Sequence, residues 1–75
     1  MADGYLIRIE YPRGGNRPLV EMWLARIPDQ AKALAAVAEA SGGENATIKD
    51  SVPDNRLIAL GLSEGQVKVE DARLS

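Results

Sequence analysis

The chain contains no cysteine, no histidine and no phenylalanine. Without cysteine there can be no disulfide, and a reducing compartment such as the cytoplasm is the expected setting. Without histidine or cysteine the commonest transition-metal ligands are missing, and no metal or cofactor is expected. Acid–base or nucleophilic work would fall to carboxylates, hydroxyls, lysine or tyrosine. Long hydrophobic runs are also lacking. The longest strictly apolar stretch, Ala33 to Ala38, is far below the roughly 20 residues a membrane span requires. Met1-Ala2-Asp3-Gly4 leads straight into a strand-like segment without a basic n-region and an apolar h-region, so no secretory signal is expected. The expectation is a soluble, cytoplasmic protein that does not engage a membrane.

Nor is there an excess of positive charge. Nine basic and eleven acidic residues give a net charge of −2, with +1 on residues 1 to 32 and −3 on residues 33 to 75. A nucleic-acid domain more often carries a clear basic excess on one face, so a nucleic-acid partner is not the first expectation.

What remains is one small domain over residues 1 to 75 with a thin core. A chain of this length buries only about 60% of the surface it exposes when unfolded. Hydrophobic residues make up 45% of the sequence, 34 in all, but 11 of them are alanine, leaving 23 larger apolar side chains. Domains this small compensate with disulfides, metals or self-association. Only the last is open here.

The segment Tyr5 to Tyr11 alternates, with Tyr5, Ile7, Ile9 and Tyr11 on one face and Leu6, Arg8 and Glu10 on the other, which indicates a half-buried strand. The stretch Pro12-Arg13-Gly14-Gly15-Asn16-Arg17-Pro18 reads as a hairpin loop bounded by its two prolines, longer than the usual two to five residues. Leu19 to Ile27 (LVEMWLARI) is the most apolar strand-like segment and holds the only tryptophan. In it Val20, Met22 and Leu24 share one face, and Leu19, Trp23, Ala25 and Ile27 share the other, interrupted by Glu21. A strand apolar on both faces is either central and covered twice, or covered once by its own chain and once by a partner.

Ile27-Pro28-Asp29-Gln30 reads as a helix start. Strong helix formers run from Ala31 to Ala40, with Ala31, Leu34, Val37, Ala38 and Ser41 on one side, and Gly42-Gly43 ends the helix. Ala46 to Val52 alternates weakly as a third strand, with Ala46, Ile48, Asp50 and Val52 opposite Thr47, Lys49 and Ser51. Val52-Pro53-Asp54-Asn55 repeats the aliphatic-Pro-Asp-carboxamide pattern and should open a short helix from Asp54 to Leu60, closed by Gly61. Independent selection of Pro-Asp at strand-to-helix junctions explains the repeat better than duplication. After a turn at Leu62-Ser63-Glu64-Gly65, Gln66 to Glu70 reads as a last strand with Val67 and Val69 inward, and Asp71 to Ser75 as a frayed end. The order ββαβαβ, with polar residues alternating in the later strands, indicates an α+β two-layer sandwich: about four strands in a mostly antiparallel or mixed sheet, with the helices on one face.

Few residues carry chemistry. Ser41, Ser51 and Ser63 lie at a helix end, in a strand and in a turn, and none stands in a glycine-flanked nucleophile elbow. Glu70-Asp71 and Asp50 with Asp54 lack the dense oxygen-ligand spacing of a calcium loop. The Asn45-Ala46-Thr47 sequon has no secretory context. Arg13, Gly14, Gly15 and Arg17 form the most distinctive polar group, because glycine amides and arginines together can hold a phosphate or carboxylate. The plainer reading is an exposed tip kept soluble by charge, since no helix start follows the glycines. Trp23 with Met22 and Tyr5 or Tyr11 could make a partner surface, or Trp23 could be plain core. The leading expectation is therefore a non-catalytic interaction module that forms a homodimer, with Val20, Met22, Trp23 and Leu24 at the interface. Self-association would use the face or the edge of the sheet built on the first two strands. The alternative is anion or nucleic-acid binding through the arginine-bearing hairpin loop, with Arg8 and Arg26 as further candidate contacts beside Arg13 and Arg17, and an enzyme is the least expected.

Overall fold

In the computed structural model, which describes residues 3 to 42 and 45 to 74, the hairpin of β1 (Gly4–Arg13) and β2 (Asn16–Ala25) forms the centre of one sheet. Helix α1 (Gln30–Ser41), strand β3 (Asn45–Val52), helix α2 (Asp54–Ala59) and strand β4 (Val67–Leu74) follow. The strand order is β3-β1-β2-β4 and every neighbouring pair is antiparallel. This is the α+β class and element order that the sequence indicates. Over their length paired with β3 and β4, β1 and β2 are interior. The open edges belong to β3 and β4.

The hairpin turn is tighter than the proline spacing suggests. Arg13 pairs with Asn16 across only Gly14 and Gly15, and Gly15 takes φ 80°, a left-handed conformation for which glycine is the cheapest residue. Pro12 and Pro18 lie inside the strands instead of bounding a loop. They are tolerated because, among the described residues, β3 pairs with β1 only as far as Glu10 and β4 with β2 only as far as Leu19, so no described outer strand needs a hydrogen bond from either position. The hairpin thus runs on past both neighbours as a two-stranded ribbon, in a molecule 40 × 22 × 17 Å in extent.

Helix α1 begins and ends where its local chemistry dictates. The Asp29 carboxylate accepts a hydrogen bond from the Lys32 amide at 3.1 Å, the ordinary N-cap arrangement. Gly42 closes the helix at φ 71° with its amide bonded to the Ala38 carbonyl. Its buried line is Ala33 and Val37 with Leu34 beside them, whereas Ala31 is exposed, so the core-facing stripe is rotated from the one that the apolar spacing suggests. That line packs on Tyr5, Ile7, Ile9 and Ala25, with Tyr11, Trp23, Ile27, Ala46, Ile48 and Val67 around them.

Helix α2 goes to the other face. Leu57 and Leu62 pack with Leu24 and Val52, and with Leu6 beside them. Leu6 pairs directly with Leu24, and Ile7 directly with Trp23, so strand alternation puts these two clusters on opposite sides of the sheet. The expectation of both helices on one face is corrected accordingly. The enabling feature is a bulge in β3: Ile7 pairs with Ile48 but Leu6 pairs with Asp50, leaving Lys49 as the extra residue. That single insertion lets Ile48 face α1 and Val52 face α2, which explains the weak alternation of this strand.

A second bulge occurs in β4, where Trp23 pairs with Val69 and Met22 with Asp71. Residues Asp71 to Leu74, expected as a frayed end, are strand, because Leu19 to Met22 offers them a ladder. Val67 packs on the core, but Val69 is 43% exposed and so is not inward as its alternation implies.

Candidate functional site

The second face of the sheet is covered over only half its length. Reading across from β3 to β4, one row is Asp50, Leu6, Leu24 and Lys68, and the next is Thr47, Arg8, Met22 and Asp71. A further row holds Asn45, Glu10 and Val20. Among the described residues the packing of α2 stops at the row of Leu6 and Leu24. Leu24 is only 3% exposed and belongs to that core. Beyond it Met22 is half-buried, and Val20, though 7% exposed, belongs to neither core cluster. Beside them Arg8 and Glu10 form an ion pair of 2.9 Å with both side chains about one third exposed, so it contributes little to stability.

The four residues expected at an interface are thus divided. Val20, Met22 and Leu24 form one line on the second face, with Leu24 already enclosed by the chain itself. Trp23 is half-buried on the α1 face, where its Nε1–H donates to Glu21 Oε1 at 3.3 Å. Glu21, the one polar interruption on that side of β2, therefore serves as acceptor for the indole. Next to it the half-buried Tyr11 hydroxyl donates to the Ser41 carbonyl at 3.1 Å, tying the end of α1 to β1. Burial, reinforced by the neighbouring Glu21 carboxylate and partly offset by Ser41, pushes the Tyr11 hydroxyl above its ordinary pKa. Tyr5 makes a similar tie at the opposite end, donating to the Pro28 carbonyl at 3.2 Å.

At the ribbon tip Arg13, Gly14, Gly15 and Arg17 are all exposed. Arg13 lies opposite Asn16, but the β1–β2 ladder shifts register between Tyr11 and Arg13, so alternation assigns Arg17 to neither face of the ribbon.

A shallow cleft of about 400 Å³ lies at the opposite end of the sheet, lined by Asp3, Arg26, Ile27, Pro28, Asp54, Glu64 and Gly65. Sequence reading placed Arg26 only among the arginines of the anion-binding alternative, yet it is the hub of this end. Its Nε donates to Asp54 Oδ1 at 2.8 Å and another guanidinium nitrogen donates to the Leu62 carbonyl at 2.9 Å. Its main chain bonds Gln66 and Gly65, both at 2.9 Å. Pro53, at the N-cap of α2, has no side-chain acceptor, and Asp3 supplies one from a distance, accepting from the Asp54 amide at 3.1 Å. The one sequence signal was a charged residue directly after the apolar run of β2. The cleft gathers carboxylates, so it leaves an enzyme open as a class. Two of its three acids, however, are engaged in holding α2 to the sheet. Among the described residues no three Asp or Glu side chains converge as a metal site would require.

No described helix is long and apolar enough to cross a membrane. No protein-family model matches the chain, and no curated protein or solved structure matches it either. The fold and site define a small α+β domain, and what it does has to be argued from its own surfaces.

Proposed function

We propose that this chain is a small non-catalytic interaction module that associates with a second copy of itself through the open half of the second sheet face, centred on Met22. The observation that carries this is the incomplete cover: α1 spans one face, while the six residues of α2 reach only the lower rows of the other. A half-buried methionine beside Val20, on strands held rigid by neighbours on both sides, suits a partner surface. A second copy is the partner this surface fits best. Arg8 and Glu10 stand side by side on β1, so a twofold axis through the open rows can set Arg8 of each copy against Glu10 of the other. Such a pair adds register and specificity more than affinity. The absence of cysteine agrees with a reducing compartment such as the cytoplasm.

Sedimentation equilibrium at micromolar concentration tests the proposal. The expected result is a dimer that Met22→Asp converts to a folded monomer. A wild-type chain that sediments as a clean 8.0 kDa monomer overturns it, as does a Met22→Asp variant that dimerises unchanged.

A further inference from the structure

The fold itself leaves both the β1–β2 ribbon and the outer surface of α2 without a role. Among the described residues no outer strand pairs with the ribbon beyond Glu10 and Leu19. On α2, Ile58 is 56% exposed and Leu60, its C-cap, 38%, two of the three large apolar residues that stand exposed among those described. We propose that each ribbon is an arm that lies across α2 of a second copy, with its basic tip against the acidic end of that copy. The inference rests on the face-to-face dimer proposed above and names the parts of the two copies that meet beyond the Met22 rows.

The register of that dimer brings ribbon and helix together. Setting Arg8 of one copy against Glu10 of the other puts the twofold axis level with Ile9 and reverses the strand direction. Gly14 lies five residues beyond Ile9 along the chain and Gly4 five residues before it. The turn of each ribbon is therefore carried over the level of Gly4 of the other copy, where Leu57 of α2 sits close above the strand. Two facing sheets pack about 10 Å apart, and a helix is about 10 Å across. Helix α2 thus rises to the level of the partner's strands, and the part of the partner that reaches it is the ribbon. A two-stranded ribbon twists more than a full sheet, so it can bend around the helix. Pro12 and Pro18 cannot donate main-chain hydrogen bonds, which favours contact through the face and tip of the ribbon over pairing along its edge.

Charge selects the same arrangement. From Tyr11 to Val20 the chain carries Arg13 and Arg17 and no acid. At the other end Asp3, Asp54 and Glu64 stand around Arg26, and Arg56 of α2 offsets only one of them. The molecule is 40 Å long, so its basic and acidic ends are well separated, and only an antiparallel pair sets each against its opposite in both copies.

The test is a charge swap read by sedimentation equilibrium of the full chain. Arg13→Glu with Arg17→Glu should weaken the dimer at least about tenfold, because it sets like charges against each other. Glu64→Arg should weaken it in the same direction, and Glu64 is the acid of the cleft that does not hold α2. An equimolar mixture of these two variants, one of them fluorescently labelled, should recover a heterodimer of wild-type affinity, since each tip then meets an end of opposite charge. Ile58→Asp should weaken the dimer while leaving thermal unfolding of the monomer unchanged, as the residue is exposed within its own chain. A wild type that sediments as a monomer overturns the dimer and the arm with it. A dimer that Met22→Asp dissociates, but that Arg13→Glu with Arg17→Glu and Ile58→Asp leave unchanged, retains the dimer and overturns the arm. A mixture that fails to recover heterodimer overturns the arm as well.

Discussion

Replacing Gly4 by alanine tests the placement of α2 most directly. Gly4 opens β1 on the α2 face and pairs with Val52 of β3. A Cβ built there would fall within the van der Waals envelope of two atoms at once, the Ala25 carbonyl oxygen and the Leu57 Cδ1. The two contacts differ in kind. Leu57 is fully buried, but its side chain can rotate at some cost in packing, whereas the Ala25 carbonyl belongs to the central strand β2 and can move only with the ladder. Alanine for glycine in an unstrained strand would ordinarily stabilise by about 0.4–1 kcal/mol through the unfolded chain. Overpacking a tight site costs about 1–3 kcal/mol. The second effect wins because one of the clashing atoms is backbone, and the expected net loss is about 1–2 kcal/mol, or a fall in Tm of roughly 4–15 °C for a domain of this size.

The double variant Gly4→Ala with Leu57→Ala sharpens the test. Leu57→Ala alone should cost about 2–5 kcal/mol, since the residue is fully enclosed and its removal leaves a cavity. The new methyl at position 4 would enter that cavity, so the double variant should be more stable than the sum of the single effects by at least ~0.5 kcal/mol. Urea unfolding of the four proteins measures this. A neutral or stabilising Gly4→Ala, or strict additivity in the cycle, would refute the packing of α2 against the start of β1.

Two other perturbations probe the ends of the sheet. Arg26→Met removes the charged bonds to Asp54 and to the Leu62 carbonyl. Because the Asp54 side chain is 42% exposed and its attraction correspondingly screened, the loss in urea-measured stability should be about 2 kcal/mol. Arg26→Lys should recover little of it, since a single ammonium cannot span both acceptors, and an unchanged midpoint for Arg26→Met would dismiss the hub. The Tyr11 hydroxyl is held above its ordinary pKa, chiefly by burial. A group whose folded pKa lies above its unfolded value of about 10 contributes stability that is complete below that value. The contribution is lost as pH rises through the folded pKa. Stability should therefore decline above pH ~10 more steeply in the wild type than in Tyr11→Phe, and an identical decline in the two proteins counts against the Tyr11–Glu21 arrangement.

The parts of this fold that are legible in the sequence are those set by neighbouring residues. Gly42 as the left-handed terminator, the Pro53-Asp54 helix start and the alternation of Tyr5 to Tyr11 each depend on a few adjacent positions, and each is found where its local chemistry indicates, while Asp29, expected inside the first turn, is the N-cap just before it. What was not legible depends on single-residue insertions and on distant partners. The bulges at Lys49 and Glu70 have no compositional signature, yet each transfers every later side chain in its strand to the opposite face. Pro12 and Pro18 read as loop boundaries because proline is unwelcome in a paired strand, and only the lengths of β3 and β4 reveal that no described outer strand pairs with them there. Arg26 was read as a candidate anion contact and not as a tie for the same reason: its partners, Asp54 and Leu62, lie 28 and 36 residues away.

The division of the apolar residues follows from these insertions. A chain with only 23 large apolar side chains would make its most economical core by gathering them on one face of the sheet. Here the Lys49 bulge sends Val52 away from the larger cluster to meet Leu24, Leu57 and Leu62, creating a second small core on the other face. The second core secures the lower end of the sheet and needs Arg26 to hold α2 and the following turn against it. It is too small to extend further, and the rows of Met22 and Val20 remain without a helix above them. The doubly apolar character of Leu19 to Ile27 is therefore only partly a surplus: Leu24 is consumed by the chain itself and Trp23 by the α1 face. The surface left for a partner is narrower than the strand's composition implies, which makes Met22, with the Arg8–Glu10 pair beside it, the position where a substitution should separate assembly from folding.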